Sequence, residues 1–436
     1  MRYVIVGNGI TGVTAACTLR EADDEAEIVI VSGESDFFYS RTALMWSYMR
    51  QMTRRNLEPY ERWFWRERKL TLLRDRVTAV DTANHRLTLE RGGECGYDKL
   101  LLAVGGRANM FGWPGQDLDG VCNMCTLQDL DRLEAVRPRL ERAVIVGGGL
   151  IGIELVEMML HDRVPVTYLL REPWYWDLVL TQQEAEIVHQ RLGQHGVDLV
   201  LKDEIGEIVD GGDGRVAAVK TKNGRDLPCQ LVGIAVGVGA ETTLARESGI
   251  ECGRGILVDE AFCTSAPDVY AAGDCAEVQR GGGAPNLGQK LWYTGLRQAG
   301  HAARSMLGDP VTYDPGVPYN SAQFLFLDYL NVGWLNKAPF PPPPHLSEGR
   351  PPEGGGLGLS EFYHRVDGAP DSIRIAYWPE SRRVMGFSML GSRWDSERLI
   401  AWIEQRRTLD WVLEHLDRAV YNEEFRNNRF AGVTHA

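Results

Sequence analysis

Short apolar runs closed by glycine set the rhythm of this chain. In YVIVGNGITGVTAACTL, Tyr3 to Val6 is an apolar run of strand length, and a helical pattern begins at Val13. EIVIVSGE is a second strand that ends near Glu34, and YDKLLLAVGG, Tyr97 to Gly106, is a buried strand closing on glycines. RAVIVGGGLIGIELVEMML repeats the opening pattern, with a strand at Val144 to Val146 and a helix from Ile153 onward. VTYLLRE follows as a strand from Val166, and TSAPDVYAAGDCAEV, Thr264 to Val278, carries an apolar strand that ends at Gly273–Asp274. Further on the pattern predicts a helix from about Gln289 to Met306. Strands are predicted in FLFLDYLNVGW and DSIRIAYWPESRRVMGFSMLG, with a turn near Pro379 to Ser381. Helices are expected from Ser396 to Arg406 and from Thr408 to about Ala419, and the Pro/Gly-rich stretch Pro339 to Gly358 reads as a loop. Buried strands alternating with helices argue for an α/β protein.

Composition narrows the class. The chain has 436 residues, enough for two or three domains, and 44% hydrophobic with 25% charged residues is ordinary for a globular protein. A net charge of -13 argues against a nucleic-acid binder, which needs a basic face. No apolar run reaches membrane-spanning length, and MRYVIVGNG is too short an apolar run for a signal peptide, so a cytoplasmic protein is expected. The eight cysteines are scattered, which favours free thiols over a disulfide framework. Cys122 and Cys125 have CxxC spacing, but extended chain points residues three apart to opposite faces; with no second ligand pair for zinc, coincidence is the favoured reading and no metal is expected.

The chemistry lies in the glycines. Gly7, Gly9 and Gly12 stand in GxGxxG spacing between a strand and a helix, and Gly147, Gly149 and Gly152 repeat it about 140 residues later. Such loops let backbone approach a pyrophosphate while the helix N-terminus supplies unpaired N–H groups and the positive end of a dipole. Two copies imply two dinucleotide-binding units. Asp274, just past a buried strand, is suited to accept hydrogen bonds from a polyol, and Glu34 is placed for a ribose hydroxyl.

These four motifs in this order resemble the pyridine nucleotide–disulfide oxidoreductase superfamily of flavoproteins over roughly residues 1–310. The resemblance implies two Rossmann-like domains, for FAD and NAD(P), the second inserted in the first, plus a C-terminal α+β domain. The expected segments are 1–115 and 248–312 for FAD, 116–247 for NAD(P) and 313–436 for the C-terminal domain. FAD would lie on the first glycine loop with Asp274 at its ribitol, and NADPH or NADH on the second. Val77, Ala103, Gly105, Gly273 and Gly237 complete the cofactor-binding candidates.

In disulfide-reducing members the helix after the second strand carries redox cysteines. Here that place is SRTALMWSYM, and Thr42 to Leu44 contains no cysteine. Tyr39, Arg41 and Leu44 instead make the stretch similar to ferredoxin, rubredoxin and nitrite reductase-type flavoproteins and to the apoptosis-inducing-factor group, with Arg41 as their FAD-binding arginine. Two positions depart from that group: Gly33 stands where an acidic residue is frequent, and Trp46 where many members have a lysine, commonly paired with a glutamate matching Glu154. Glu154 and Trp292 are the catalytic candidates, Trp292 also as a neighbour of the flavin ring at the N-terminus of its helix. After the strand at Val166, Leu170 replaces the acidic residue of NADH users and Arg171 stands where some NADPH users are basic, which favours NADPH although Glu172 follows.

The resemblance thus implies an oxidoreductase that passes electrons from NAD(P)H through FAD to a redox protein such as ferredoxin or rubredoxin. Arg50, Arg54, Arg55, Arg62, Arg66, Arg68 and Lys69 against three glutamates form a candidate docking stretch for an acidic acceptor. The C-terminal domain resembles one that makes dimers, so a homodimer is expected. Two alternatives stand beside this reading. One is direct reduction of a quinone, oxygen or organic molecule near Trp63, Phe64 and Trp65; the other is a slow-turnover signalling or assembly protein.

Overall fold

A computed structural model describes residues 1–279, 290–337, 341–343, 345–348 and 356–421. Two compact units emerge: Met1–Gly147 with Met158–Val164 and Ile205–Asp314, and Gly148–Glu157 with Pro165–Glu204 and Pro315–Ala436. The expected segment 116–247 is therefore shared between them.

At the centre of the first unit is β1 (Arg2–Val6), parallel to β2 (Glu27–Ser32) on one side and to the strand Lys99–Leu102 on the other. β3 (Leu70–Arg74) extends the sheet beyond β2, and Val269–Ala271 extends it beyond Lys99–Leu102. Val4, Ile5, Leu100, Leu101 and Leu102 are fully buried, as a parallel strand covered on both faces requires. α1 (Ile10–Ala22) packs against the helix Trp292–Met306, where Gly295 leaves room for Thr11. α1 ends on a buried arginine: Arg20 donates to the carbonyls of Asp23, Ala26, Arg68 and Lys69, a positive charge near the negative end of the helix. A second parallel set in this unit joins Ala143–Val146, Leu231–Ile234 and Val121–Cys122.

The second unit pairs Val166–Leu170 with Asp198–Leu201 in parallel. Its later part is a five-stranded antiparallel sheet in the order Tyr319–Phe324, Leu327–Gly333, Val384–Leu390, Ser372–Tyr377, Ser360–Arg365. The helices Ser396–Glu404 and Leu409–Glu414 contribute Leu399, Ile403, Leu409 and Val412 to its core. The architecture is thus α/β with a C-terminal α+β domain.

A buried ion pair links distant parts of this unit. Glu184, fully buried, lies in the first turn of Gln182–Gln194, and its carboxylate accepts from the Thr181 N–H that caps the helix. The same carboxylate meets Arg374 Nε at 3.0 Å and accepts from Ser388 Oγ at 2.6 Å. Arg374 also meets Glu361 at 3.1 Å and donates to the Val179 carbonyl at 2.8 Å.

Boundaries moved where local geometry outweighed pattern. The helices begin at Ile10 and Leu150 rather than at Val13 and Ile153, so Gly12 and Gly152 lie within them. The stretch after Ser40 is a short 3-10 turn, Arg41–Ala43, followed by Leu44–Tyr48. The helix expected from Gln289 starts at Trp292; Gln289 and half of the Pro339–Gly358 loop lie outside the described residues. The last expected helix divides into Leu409–Glu414 and a 3-10 turn, Leu416–Ala419. Among the described residues no helix is long and apolar enough to cross a membrane.

Removing Glu184 leaves the buried Arg374 with only the partly exposed Glu361 among its described carboxylate partners. Glu184→Ala is expected to lower stability by about 3–5 kcal/mol in urea denaturation, far more than truncation of an exposed pair such as Arg86–Glu94.

Candidate cofactor sites

The first glycine loop is shaped by backbone contacts that exclude side chains. Gly7 has φ +112°, and a Cβ there would lie 2.2 Å from the Ala103 carbonyl oxygen. A Cβ on Gly12 would lie 2.0 Å from the Gly7 oxygen, so the helix can start this close to the strand only with glycine. Gly9 differs, since a Cβ there would meet nothing within 4 Å. Its helix has no side-chain N-cap, and helices leave their first-turn N–H groups without intrahelical partners. Thr11 is wedged between Gly273 and Gly295, while the Gly273 N–H donates to the buried Gln298 at 2.8 Å. Ala103 is buried beside Gly7, and Gly105 has φ +73° with open space around it.

Around this loop the structure gathers Glu34, Arg41 and Asp274. The Arg41 guanidinium forks onto Glu34 at 2.5 and 3.0 Å and donates to the Tyr39 hydroxyl and the Cys125 carbonyl. Tyr39 also donates to Glu34, and burial holds its phenol protonated by pushing its pKa well up. A Cβ on Gly33 would lie 3.1 Å from Arg76 Cβ; the crowding accounts for a small residue there, with the carboxylate one position later. Asp274 is raised by burial, while the charges of Lys290 and Arg41 act the other way. Its carboxylate meets no hydrogen-bond donor among the described residues. An acceptor of this kind fits the hydroxyls of a polyol.

Trp292, the first residue of its helix, lies against Phe38 with ring centroids 6.0 Å apart and packs on the core. Val77 is buried in the core at the start of Val77–Asp81, directly after Arg76, on which Gly33 packs. An open glycine cradle, a carboxylate with no donor among the described residues and an uncapped helix N-terminus suit FAD.

The second loop repeats the first. Gly147 has φ +112°, with a Cβ position 2.2 Å from the Ala235 oxygen, and Gly149 faces open space. Gly237 has φ +100°, and its carbonyl accepts from the Asn109 N–H at 3.0 Å. Gly148 packs against Leu170 and the Trp176 backbone. Arg171, exposed, is held by Glu172 at 2.7 Å. Glu154, on Leu150–His161, is partly buried; desolvation and then the Glu157 charge push its carboxyl up to about 8. This cradle fits a second dinucleotide.

The CxxC pair carries no disulfide. Burial, then Asp129, pushes the Cys122 thiol up to about 12 and the Cys125 thiol up to about 11, so neither is a ready thiolate. Among the described residues no His/Cys/Asp/Glu group could hold a metal ion. Sequence reasoning missed Lys290 beside Asp274 and Gln128, whose amide donates to the Glu34 carbonyl at 3.0 Å. Neither belongs to a motif; only the fold brings them there.

The chain is similar to known proteins along most of its length. Residues 1–304 match the family described as pyridine nucleotide-disulphide oxidoreductase. The 5,5'-dehydrodivanillate O-demethylase ferredoxin reductase subunit of Sphingobium sp. (strain NBRC 103272 / SYK-6) is 32% identical over 324 residues, covering 72% of this chain and 77% of that protein. The rubredoxin-NAD(+) reductase of Ectopseudomonas oleovorans is 30% identical over 278 residues, covering 63% and 72%. The crystal structure of a ferredoxin reductase from Rhodopseudomonas palustris superposes with a TM-score of 0.77 at 23% identity, covering 89% of this chain and 91% of that one.

The elevated Glu154 carboxyl has a readable consequence. Its folded pKa of about 8 exceeds the unfolded value of 4.5, so the folded state binds more protons between these pH values and stability falls as pH rises through that window. Denaturation midpoints measured from pH 5 to pH 9 should decline less steeply in Glu154→Gln than in the parent.

Proposed function

The chain belongs to the pyridine nucleotide-disulphide oxidoreductase family, and from that premise we propose that it oxidises NAD(P)H through FAD and delivers the electrons to a separate redox protein, a ferredoxin or rubredoxin. The observation that carries this reading is the stretch after Ser40, where Thr42, Ala43 and Leu44 leave no thiol to receive electrons. FAD supplies the chemistry, accepting a hydride and releasing electrons to the acceptor. The protein's part is to hold and screen. The first loop's N–H groups would take the pyrophosphate, with the Glu34-held Arg41 at the adenosine side, Asp274 the ribitol hydroxyls, and the second loop the nicotinamide dinucleotide. Glu154, whose carboxyl burial pushes up to about 8, would be able to donate a hydrogen bond to an uncharged amide such as that of a nicotinamide.

The geometry around Arg171 favours NADH. Glu172 already neutralises this arginine, so a 2′-phosphate would meet a compensated cation and a carboxylate, whereas a ribose 2′-hydroxyl would find an acceptor. This reverses the preference that Arg171 alone suggested.

The basic stretch is the proposed docking face, with much of its charge spent internally. Arg54 pairs with Asp131 and Glu134, Arg55 with Glu58 and Glu61, Arg62 with Glu58, and Arg68 with Glu21. Trp63, 57% exposed, adds an apolar contact on the same face. Steering by this face is accordingly modest, and apolar contact shares the work. The eight free thiols suit a reducing compartment, the cytoplasm.

Glu172→Gln is expected to shift the kcat/KM ratio of NADH to NADPH by about tenfold toward NADPH, the order of one screened charge contact; an unchanged ratio removes Glu172 from nucleotide selection. With a ferredoxin as acceptor, added salt should raise the acceptor KM while the rate of flavin reduction by NADH holds steady. Turnover that is faster with free quinone or oxygen than with any ferredoxin or rubredoxin contradicts the proposed acceptor class.

A further inference from the structure

We propose that Lys290 is the charge-balancing residue of the flavin site: its ammonium offsets Asp274 and the negative charge that a hydride adds, and so raises the reduction potential of the bound flavin. The inference rests on the FAD reading of the first glycine loop. Hydride transfer moves an electron pair with a proton from the nicotinamide, which leaves oxidised, and adds one negative charge to a site that already holds a diphosphate and the Asp274 carboxylate. Such a site favours the oxidised flavin unless a cation stands close.

Two cations act on Asp274: Lys290 and Arg41. Arg41 is committed elsewhere, its guanidinium forked onto Glu34 and donating to Tyr39 and to the Cys125 carbonyl. Among the described residues Lys290 has no such carboxylate clamp. Its ammonium donates to the Val238 carbonyl, and Asp274 is the charged group that acts on it. The Val238 anchor fixes its place, because Val238–Ala240 pairs with Gly106–Ala108 directly after the open Gly105. Gly106 brings that pair against Asp274, where a Cβ would lie 3.8 Å from Asp274 Cβ. Lys290 also stands two residues before the first residue of Trp292–Met306, so the ammonium and the positive end of that helix act with the same sign. Lys290 is exposed; partial desolvation of its ammonium lowers its pKa and Asp274 raises it.

The test is the midpoint potential of the full-length FAD-loaded protein, equilibrated anaerobically with reference dyes, alongside the flavin content per chain. Lys290→Met should favour the oxidised over the reduced flavin by about tenfold relative to the parent, a shift of about 30 mV to the negative for a two-electron couple. Lys290→Arg should stay near the parent, and Asp274→Asn added to Lys290→Met should move the potential back. If Lys290→Met weakens flavin retention, separate dissociation constants for oxidised and reduced FAD report the same ratio. A potential unmoved by Lys290→Met in flavin-loaded protein, or moved equally by Lys290→Arg, overturns the role of Lys290 and leaves the FAD reading intact. A parent protein that binds no flavin overturns both.

Discussion

Everything in this molecule that concerns a cofactor depends on how closely two stretches of backbone can approach without a side chain between them. At Gly7 and again at Gly147 a Cβ would lie 2.2 Å from a carbonyl oxygen of the neighbouring strand, Ala103 in one case and Ala235 in the other. No real side chain tolerates that distance, and both residues have φ +112°, where other residues are strained. Glycine here brings the end of a buried strand and the start of a helix into a narrow turn. The turn leaves the helix N–H groups without partners and open to an anion. Each loop is thus a steric arrangement first and an electrostatic one second.

The charges around the first loop follow a similar economy. Glu34, Tyr39 and Arg41 satisfy one another, and Arg41 also reaches the carbonyl of Cys125, 84 residues away in sequence. Asp274 is left as an acceptor without a donor among the described residues, with Lys290 as its less committed cation. A site composed in this way holds its own polar groups in place, yet keeps one carboxylate for a ligand. The thiols of Cys122 and Cys125 take no part in it, since burial keeps them protonated.

Much of this was legible in the chain because its causes are local. A strand-length apolar run, a glycine fingerprint and a helical period all fall within about twenty residues, so Gly7 to Gly12 and Gly147 to Gly152 could be read directly, as could the carboxylate at Asp274. Helix starts were displaced by three residues at Ile10 and Leu150, because Gly12 and Gly152 read as loop residues although close packing calls for glycine inside a helix. What could not be read depends on distant partners. Glu184 appears in sequence as one more acidic residue in a helical run; only the fold sets it on Arg374 and Ser388 and makes it a buried ion pair. Arg171 looked like a phosphate ligand until its side chain was found on Glu172. The same limit hid Lys290, which carries no motif and gains meaning only from the Val238 carbonyl and Asp274 around it.

The central claim is that flavin is the sole electron store, with no thiol between it and the acceptor. An anaerobic titration of the FAD-loaded protein with dithionite, followed by flavin absorbance and by thiol counting with an aromatic disulfide reagent, tests this most directly. One electron pair should bleach the flavin completely, with the thiol count the same before and after. Uptake of a second electron pair together with the appearance of two new thiols would contradict it, because electrons would then pass through a cystine that the arrangement described here does not contain.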